Sequence, residues 1–272
     1  MGRRCGVLGD PIEHSLSPVL HRAGYAALGL DWAYAAHRVA SGGLAAFLAG
    51  LGDDWRGLSL TMPLKREAVP LVDELTERAR LAGAANTIVL GSDRLLGDNT
   101  DIPGAIAAIR ERTTAPLATA AIIGGGATAA SIGLALADLG VRHLEIVVRS
   151  PERAFETAET VRAHPGRPAI TVSRLDEATT FEVDLVASTI PAAAQDHHLV
   201  RACGDVPTVF DVIYHPWPTP LAASIGDRVL VGGFDLLLHQ AAVQFELFTG
   251  RPAPIDAMRT AGEHALAQRA SA

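Results

Sequence analysis

One stretch narrows the possible folds more than any other: Ala121-Ile122-Ile123-Gly124-Gly125-Gly126-Ala127-Thr128-Ala129. An apolar run ends in three glycines, and an alanine-rich segment follows. Read as Gly124-x-Gly126-x-x-Ala129, it has the spacing of a strand–turn–helix nucleotide-binding fingerprint. The first glycine permits the tight turn. The second lets backbone approach a pyrophosphate, and the small third residue lets helix and strand pack closely. A pyrophosphate would then meet the free N–H groups of a helix that opens at Ala127. The surrounding pattern agrees with this reading. Strands are predicted at 120–123, 143–148, 169–173, 183–188, 208–212 and 228–231, with helices at 127–139 and 151–163. Such alternation implies a parallel sheet covered on both faces.

The second strand of this region ends in Val147-Val148-Arg149-Ser150-Pro151-Glu152-Arg153. An NAD site usually carries an acid here for the ribose 2′-hydroxyl. Arg149 stands there instead, with Ser150 and Arg153 close behind. A guanidinium pairs with a 2′-phosphate and stacks on adenine, which favours NADP(H). Glu145 is the rival acid by count from Gly124, but it falls inside the strand.

The first hundred residues have a different rhythm. Strands are expected at 5–9, 32–39 and 57–62, and a hairpin at 86–90 and 94–97 around Gly91-Ser92-Asp93. Ser17 suits a helix N-cap and Pro18 the first helical position. Residues 43–50 read as a short helix, 64–81 as one continuous helix, and 102–112 as another, followed by a linker over 113–119. The chain ends in two helical segments, 234–249 and 256–268.

Within this region Lys65 follows a strand and a proline turn, in Leu60-Thr61-Met62-Pro63-Leu64-Lys65. Asp101 closes Gly97-Asp98-Asn99-Thr100-Asp101, where it would also serve as a helix cap. Oxidising an alcohol or reducing a ketone moves a proton at oxygen while hydride moves at carbon. A lysine held by a carboxylate can carry that proton. Ser15 and Ser17 sit one residue apart at a helix start, as caps or as ligands for a carboxylate. Asn86, in Gly83-Ala84-Ala85-Asn86-Thr87, and Gln240, in an otherwise apolar late helix, each offer a donor and an acceptor.

Composition excludes several classes. The net charge of −7 gives no basic footprint for nucleic acid. A hydrophobic share of 49% with 19% charged residues fits a globular enzyme rather than a disordered chain. No apolar run reaches the ~18 residues of a membrane span. Cys5 and Cys203 lie far apart without metal-ligand spacing, as expected in a reducing cytoplasm. Neighbouring His197 and His198 project divergently and read as a solvated loop, so no metal site is expected.

These residues resemble the shikimate dehydrogenase family. The resemblance runs in order through Gly9-Asp10-Pro11-Ile12-x-His14-Ser15-x-Ser17-Pro18, Thr61-x-Pro63-x-Lys65, Gly83-Ala84-Ala85-Asn86-Thr87 and Gly97-Asp98-Asn99-Thr100-Asp101. It continues with the 124–129 turn, Arg149-Ser150, Tyr214, Pro220-Leu221 and Gly233 through Gln240. It implies an α/β protein of two domains. A substrate-binding and catalytic domain over 1–102 would have a mixed sheet completed by 236–272. A Rossmann-type parallel-sheet NADP domain would occupy 103–235.

The implied reaction is the reversible NADPH-dependent reduction of 3-dehydroshikimate to shikimate, in aromatic amino-acid biosynthesis, by a cytoplasmic monomer or homodimer. Lys65 and Asp101 would be the catalytic pair. Ser15 and Ser17 would hold the substrate carboxylate with Tyr214 lining that end, and Thr61, Asn86 and Gln240 would bind ring hydroxyls. Gly124, Gly125, Gly126, Ala127 and Ala129 would form the cofactor turn. Arg149, Ser150 and Arg153 would take the 2′-phosphate, while Thr189, Ile190 and Gly233 would border the cofactor.

Two departures stand out. Ser59 replaces an asparagine common in the family, and Asp235 sits where a small residue is usual near the nicotinamide. They leave two alternatives in view, a catabolic quinate/shikimate dehydrogenase and a non-catalytic NADP-binding homologue. The Ser15-x-Ser17 pair and Arg149 speak against NAD-linked quinate oxidation, and retention of Lys65 with Asp101 speaks against a pure binder.

Overall fold

The structure is a computed structural model that describes residues 2–91 and 93–270. Contacts divide the chain into two units. One comprises the residues up to Thr100 together with those from Leu237 onward, and the other runs from Asp101 to Leu236.

The first unit opens with β1 (Arg3–Gly9), α1 (Ser17–Ala27), β2 (Trp32–Arg38), α2 (Leu44–Ala49) and β3 (Trp55–Leu60). After α3 (Leu64–Glu67) come β4 (Glu74–Leu75), α4 (Glu77–Ala82), β5 (Thr87–Leu90) and β6 (Leu95–Asp98). Among the described residues the strands form a six-stranded mixed sheet in the order β2-β1-β3-β5-β6-β4. β1 pairs in parallel with both β2 and β3, whereas β5 is antiparallel to β3 and to β6. The expected hairpin is formed by β5 and β6, with Leu90 opposite Leu95; Ser92 at its tip lies outside the described residues. Leu8, Leu58, Leu60, Leu64 and Ile88 fill the core on one side of the sheet.

The continuous helix expected over 64–81 is broken. Pro70 lies in a 3-10 turn over Val69–Leu71, and Glu74 and Leu75 then pair with Leu96 and Gly97 of β6. A proline inside a helix removes a hydrogen bond and clashes with the preceding turn. Thr76 starts α4 afresh by accepting the Ala79 N–H, and Gly83 ends it in the left-handed region. Asp98 fixes α4 to the sheet. It receives two hydrogen bonds from the Arg78 guanidinium, one from the Thr76 hydroxyl at 2.6 Å and one from the Asn99 N–H.

The second unit contains α5 (Asp101–Arg112), β7 (Thr119–Ile123), α6 (Ala127–Asp138), β8 (His143–Val148), α7 (Phe155–Arg162) and β9 (Ala169–Arg174). It continues through β10 (Leu185–Ser188), α8 (His197–Ala202), β11 (Thr208–Asp211), α9 (Pro220–Ala223) and β12 (Val229–Gly232). The described strands form a wholly parallel six-stranded sheet, β12-β11-β10-β7-β8-β9. Renumbered within the unit this is the 3-2-1-4-5-6 order of a dinucleotide-binding fold, with its topological switch between β7 and β10. Residues 151–154 form a 3-10 turn before α7 rather than its first helical turn. His197 and His198 are not in a loop; they open α8 beneath an Asp196 cap.

Two helices end the chain, α10 (Gly233–Thr249) and α11 (Ile255–Ala270). In the first unit, Phe248 of α10 lies so close to Gly57 of β3 that a Cβ there would sit 2.0 Å from the ring. The glycine thus sets how closely α10 packs on the sheet, where Gln244 of that helix bonds Ser59 of β3 and Thr87 of β5. No described helix is long and apolar enough to cross a membrane.

Candidate functional site

The first unit gathers most of the polar residues singled out from sequence. Asn86 follows the α4 turn and is almost fully buried. Its side-chain oxygen accepts the Thr100 N–H at 2.7 Å and the Thr87 hydroxyl at 2.8 Å. A backbone N–H can only donate, so the amide orientation is fixed, with Oδ1 inward. Nδ2 then donates to Oε1 of Gln240 at 3.3 Å. Gln240 donates through Nε2 to the Leu237 carbonyl at 3.1 Å, which fixes its orientation too.

Lys65 lies in α3, and its carbonyl accepts the Ala85 N–H at 2.8 Å. The Lys65 turn and Thr100, the chain neighbour of Asp101, are therefore bound to consecutive residues, Ala85 and Asn86. Asp101 is the first residue of α5 and is buried. Thr61 follows β3, with its N–H donating to the Leu8 carbonyl at 2.9 Å.

The predicted capping by Ser17 does not occur. α1 begins at Ser17 itself, and the Ser15 hydroxyl accepts the Ser17 N–H at 3.3 Å. The Ser17 side chain is buried. The segment is also tied down from α11, where Arg269 donates to the His14 carbonyl at 2.9 Å.

Ser59 has a defined setting. It accepts the Tyr34 hydroxyl at 2.6 Å and donates to Oε1 of Gln244 at 2.7 Å. Burial pushes the Tyr34 phenol well above its ordinary range, so it remains a neutral donor. Sequence reading missed Tyr34, Thr87, Thr100 and Gln244. One signal was available for Gln244, which lies four residues after Gln240 and so on the same face of α10.

The second unit carries the turn at the switch point. Gly124 has φ +119°, and a Cβ there would lie 2.2 Å from the Thr189 hydroxyl and 3.4 Å from Ile190. Thr189 donates from both its N–H and its hydroxyl to the Ile123 carbonyl at 2.9 Å. A Cβ on Gly125 would lie 2.6 Å from the Arg153 carbonyl. A Cβ on Gly126, by contrast, would meet nothing within 4 Å. The first two glycines are thus required by neighbouring backbone and side chains, while the third leaves an open face at the start of α6. Ala127 opens that helix, Gly126 caps it without a side-chain bond, and Ala129 is fully buried.

At the end of β8, Arg149 is exposed and Ser150 half-buried. The Ser150 hydroxyl donates to Glu152, and the Arg153 N–H donates to the Ser150 carbonyl at 3.0 Å. Glu145 accepts the Ser173 hydroxyl of β9 at 2.5 Å, so the rival acid faces the neighbouring strand. The open face at Gly126, the α6 N-terminus and the Arg149 guanidinium fit a dinucleotide with a 2′-phosphate.

Asp235 is engaged within this unit. It pairs with Arg112 of α5 through two bonds, at 2.7 and 3.1 Å, and accepts the Gly232 N–H at 3.0 Å. Gly233 packs against the loop after β11, since a Cβ would lie 2.4 Å from the Val212 carbonyl. Tyr214 lies farther along that loop, half-buried and in the second unit. Cys5 and Cys203 are buried, and burial pushes both thiols up to about 12. Among the described residues no group of three or more His, Cys, Asp or Glu side chains is placed to hold a metal.

Residues 7–88 match the family model for the shikimate dehydrogenase substrate binding domain, and residues 233–261 match that for the shikimate 5′-dehydrogenase C-terminal domain. The chain is 37% identical over 266 residues to the shikimate dehydrogenase (NADP(+)) of Moorella thermoacetica, covering 93% of this chain and 90% of that relative. The crystal structure of Mycobacterium tuberculosis shikimate dehydrogenase has a TM-score of 0.87 at 38% identity, over 97% of this chain and 99% of that one. The shikimate 5-dehydrogenase of Thermus thermophilus, in complex with NADP(H) and shikimate, has a TM-score of 0.86 at 27% identity, again over 97% and 99%.

Proposed function

The chain belongs to the shikimate dehydrogenase family, and from that premise we propose that Lys65 and Asp101 run its NADP-linked interconversion of 3-dehydroshikimate and shikimate. The protein is an NADP-dependent oxidoreductase acting on a ring alcohol. One observation carries the assignment of the pair. The Lys65 carbonyl accepts the Ala85 N–H and the Asn86 side chain accepts the Thr100 N–H, so the backbone of Lys65 and the residue before Asp101 are anchored to consecutive residues.

When bound, NADPH would supply the hydride for the carbonyl carbon. Lys65 delivers the proton to the carbonyl oxygen in that direction and removes it from the hydroxyl in reverse. Asp101 keeps the lysine ammonium in position. Asn86 and Gln240 bind ring hydroxyls, and the fixed Asn86 amide presents N–H rather than C=O. Thr61 adds a hydroxyl from the turn after β3. Ser15 and Ser17 bind the substrate carboxylate at the start of α1, with Tyr214 completing that end. Gly124 to Ala129 would cradle the pyrophosphate, Thr189, Ile190 and Gly233 would border the cofactor, and Arg149, Ser150 and Arg153 would hold the 2′-phosphate.

The test is NADP+ reduction by shikimate at alkaline pH, followed at the nicotinamide absorbance. Turnover in the wild-type protein that collapses in Lys65→Ala supports the assignment. Cofactor binding without turnover of shikimate would overturn it.

A further inference from the structure

Side-chain hydrogen bonds in the first unit form one continuous path. The Tyr34 hydroxyl donates to Ser59 at 2.6 Å, and Ser59 donates to Oε1 of Gln244 at 2.7 Å. Nε2 of Gln244 donates to the Thr87 hydroxyl at 2.9 Å and to the Asn86 carbonyl at 3.1 Å. Thr87 donates to Asn86, and Asn86 donates to Gln240. Every member of this path is buried.

The direction of the path follows from its chemistry. The Asn86 backbone carbonyl can only accept, so the Gln244 atom facing it must be the nitrogen. The Gln244 oxygen therefore faces Ser59, and Ser59 must donate. That leaves the Ser59 lone pairs for Tyr34, whose burial keeps it protonated. The Tyr34 ring is itself held by stacking on His21, with centroids 4.2 Å apart. Burial lowers the His21 imidazole to about 3, so it stacks as a neutral ring.

We propose that Gln244 is a positioning residue for substrate binding. It holds Asn86 from behind, by its carbonyl and through Thr87, while Tyr34 and Ser59 hold Gln244. Ser59 is then one link of this support rather than a missing substrate ligand. The proposal rests on the reading of Asn86 as a ligand for a ring hydroxyl. A residue that acts this way supports binding in the ground state and the transition state alike, so its loss raises KM more than it lowers kcat.

The experiment is a double-mutant cycle on the full chain, with Gln244→Met, Asn86→Ala and the double variant, using shikimate and NADP+. Gln244→Met is expected to raise the shikimate KM about tenfold, the equivalent of ~1.4 kcal/mol. The expected change in kcat and in the NADP+ KM is less than about twofold. In the Asn86→Ala background the same substitution is expected to change the shikimate KM less than about twofold, because the residue it supports is gone. An unchanged KM in folded Gln244→Met, an equal factor in both backgrounds, or a parallel rise in the NADP+ KM would each overturn the proposal. A wild-type shikimate KM in Asn86→Ala would overturn the reading of Asn86, and the proposal with it. If Gln244→Met does not fold, Ser59→Ala takes its place in the cycle, with an expected rise of about threefold and the same two criteria.

Discussion

The turn at Gly124–Ala129 and the cluster around Asn86 are built in opposite ways. The turn is made by backbone and by the absence of side chains. Six consecutive residues supply most of it, and Thr189 and Arg153 pack where no Cβ can fit. The cluster is made by side chains that meet from far apart in the chain, from Tyr34 to Gln244. A local, steric device tolerates almost no change in size at two of its positions. A distributed, polar device depends instead on each donor facing an acceptor.

The largest expected effect falls on the polar side. Lys65→Ala is expected to lower turnover by about two to four orders of magnitude, the range of a positioned acid–base group, with NADP+ binding retained in a fluorescence titration. Near-normal turnover would remove Lys65 from the mechanism.

Next comes a contrast within the turn itself. Gly125→Ala places a Cβ against the Arg153 carbonyl and is expected to cost about 2 kcal/mol of stability, read by urea melts. Gly126→Ala meets open space and is expected to leave the melt unchanged while weakening NADP+ several-fold. If both variants lose stability equally, the third glycine serves packing, and the pyrophosphate reading fails.

The Asp98 clamp gives the first unit a pH dependence. Burial pushes the carboxyl upward, but the Arg78 guanidinium, the Thr76 hydroxyl and the Asn99 N–H outweigh it and hold the group below the ordinary carboxylate range. A carboxyl with a lower value in the folded state stabilises the fold above its unfolded value. That contribution is lost as pH falls through the folded value. Arg78 is partly exposed, so Arg78→Met is expected to cost only about 2 kcal/mol at pH 7. The gap from wild type should narrow as the pH falls below about 4. A gap that is constant with pH would assign the loss to packing alone.

The smallest effect concerns cofactor choice. Arg149→Ala is expected to raise the NADP+ KM about tenfold, or ~1.4 kcal/mol, and to leave the NAD+ KM nearly unchanged. Equal losses for both would place the 2′-phosphate elsewhere.

The same contrast explains what was legible in sequence. Gly124-x-Gly126-x-x-Ala129 announces itself because its constraints lie within six residues, and the parallel pairing around it agrees with the alternation of strands and helices. The break in 64–81 was also written locally, at Pro70 and at the Thr76 cap, but helical spacing of the apolar residues masked it. Ser17 illustrates another limit. It has the chemistry of a cap, yet the Ser15 hydroxyl accepts its N–H and its own side chain is buried inside the fold. Ser59 and Asp235 looked like defects in the motifs. Their partners, Gln244 and Arg112, lie 185 and 123 residues away, where no local pattern reaches.

The most direct test of the account is a two-by-two comparison of kcat/KM for shikimate and quinate with NADP+ and NAD+. Shikimate with NADP+ is predicted to give the highest value. A highest value for quinate with NAD+, or no turnover of any pair by a protein that binds NADP+, would contradict it.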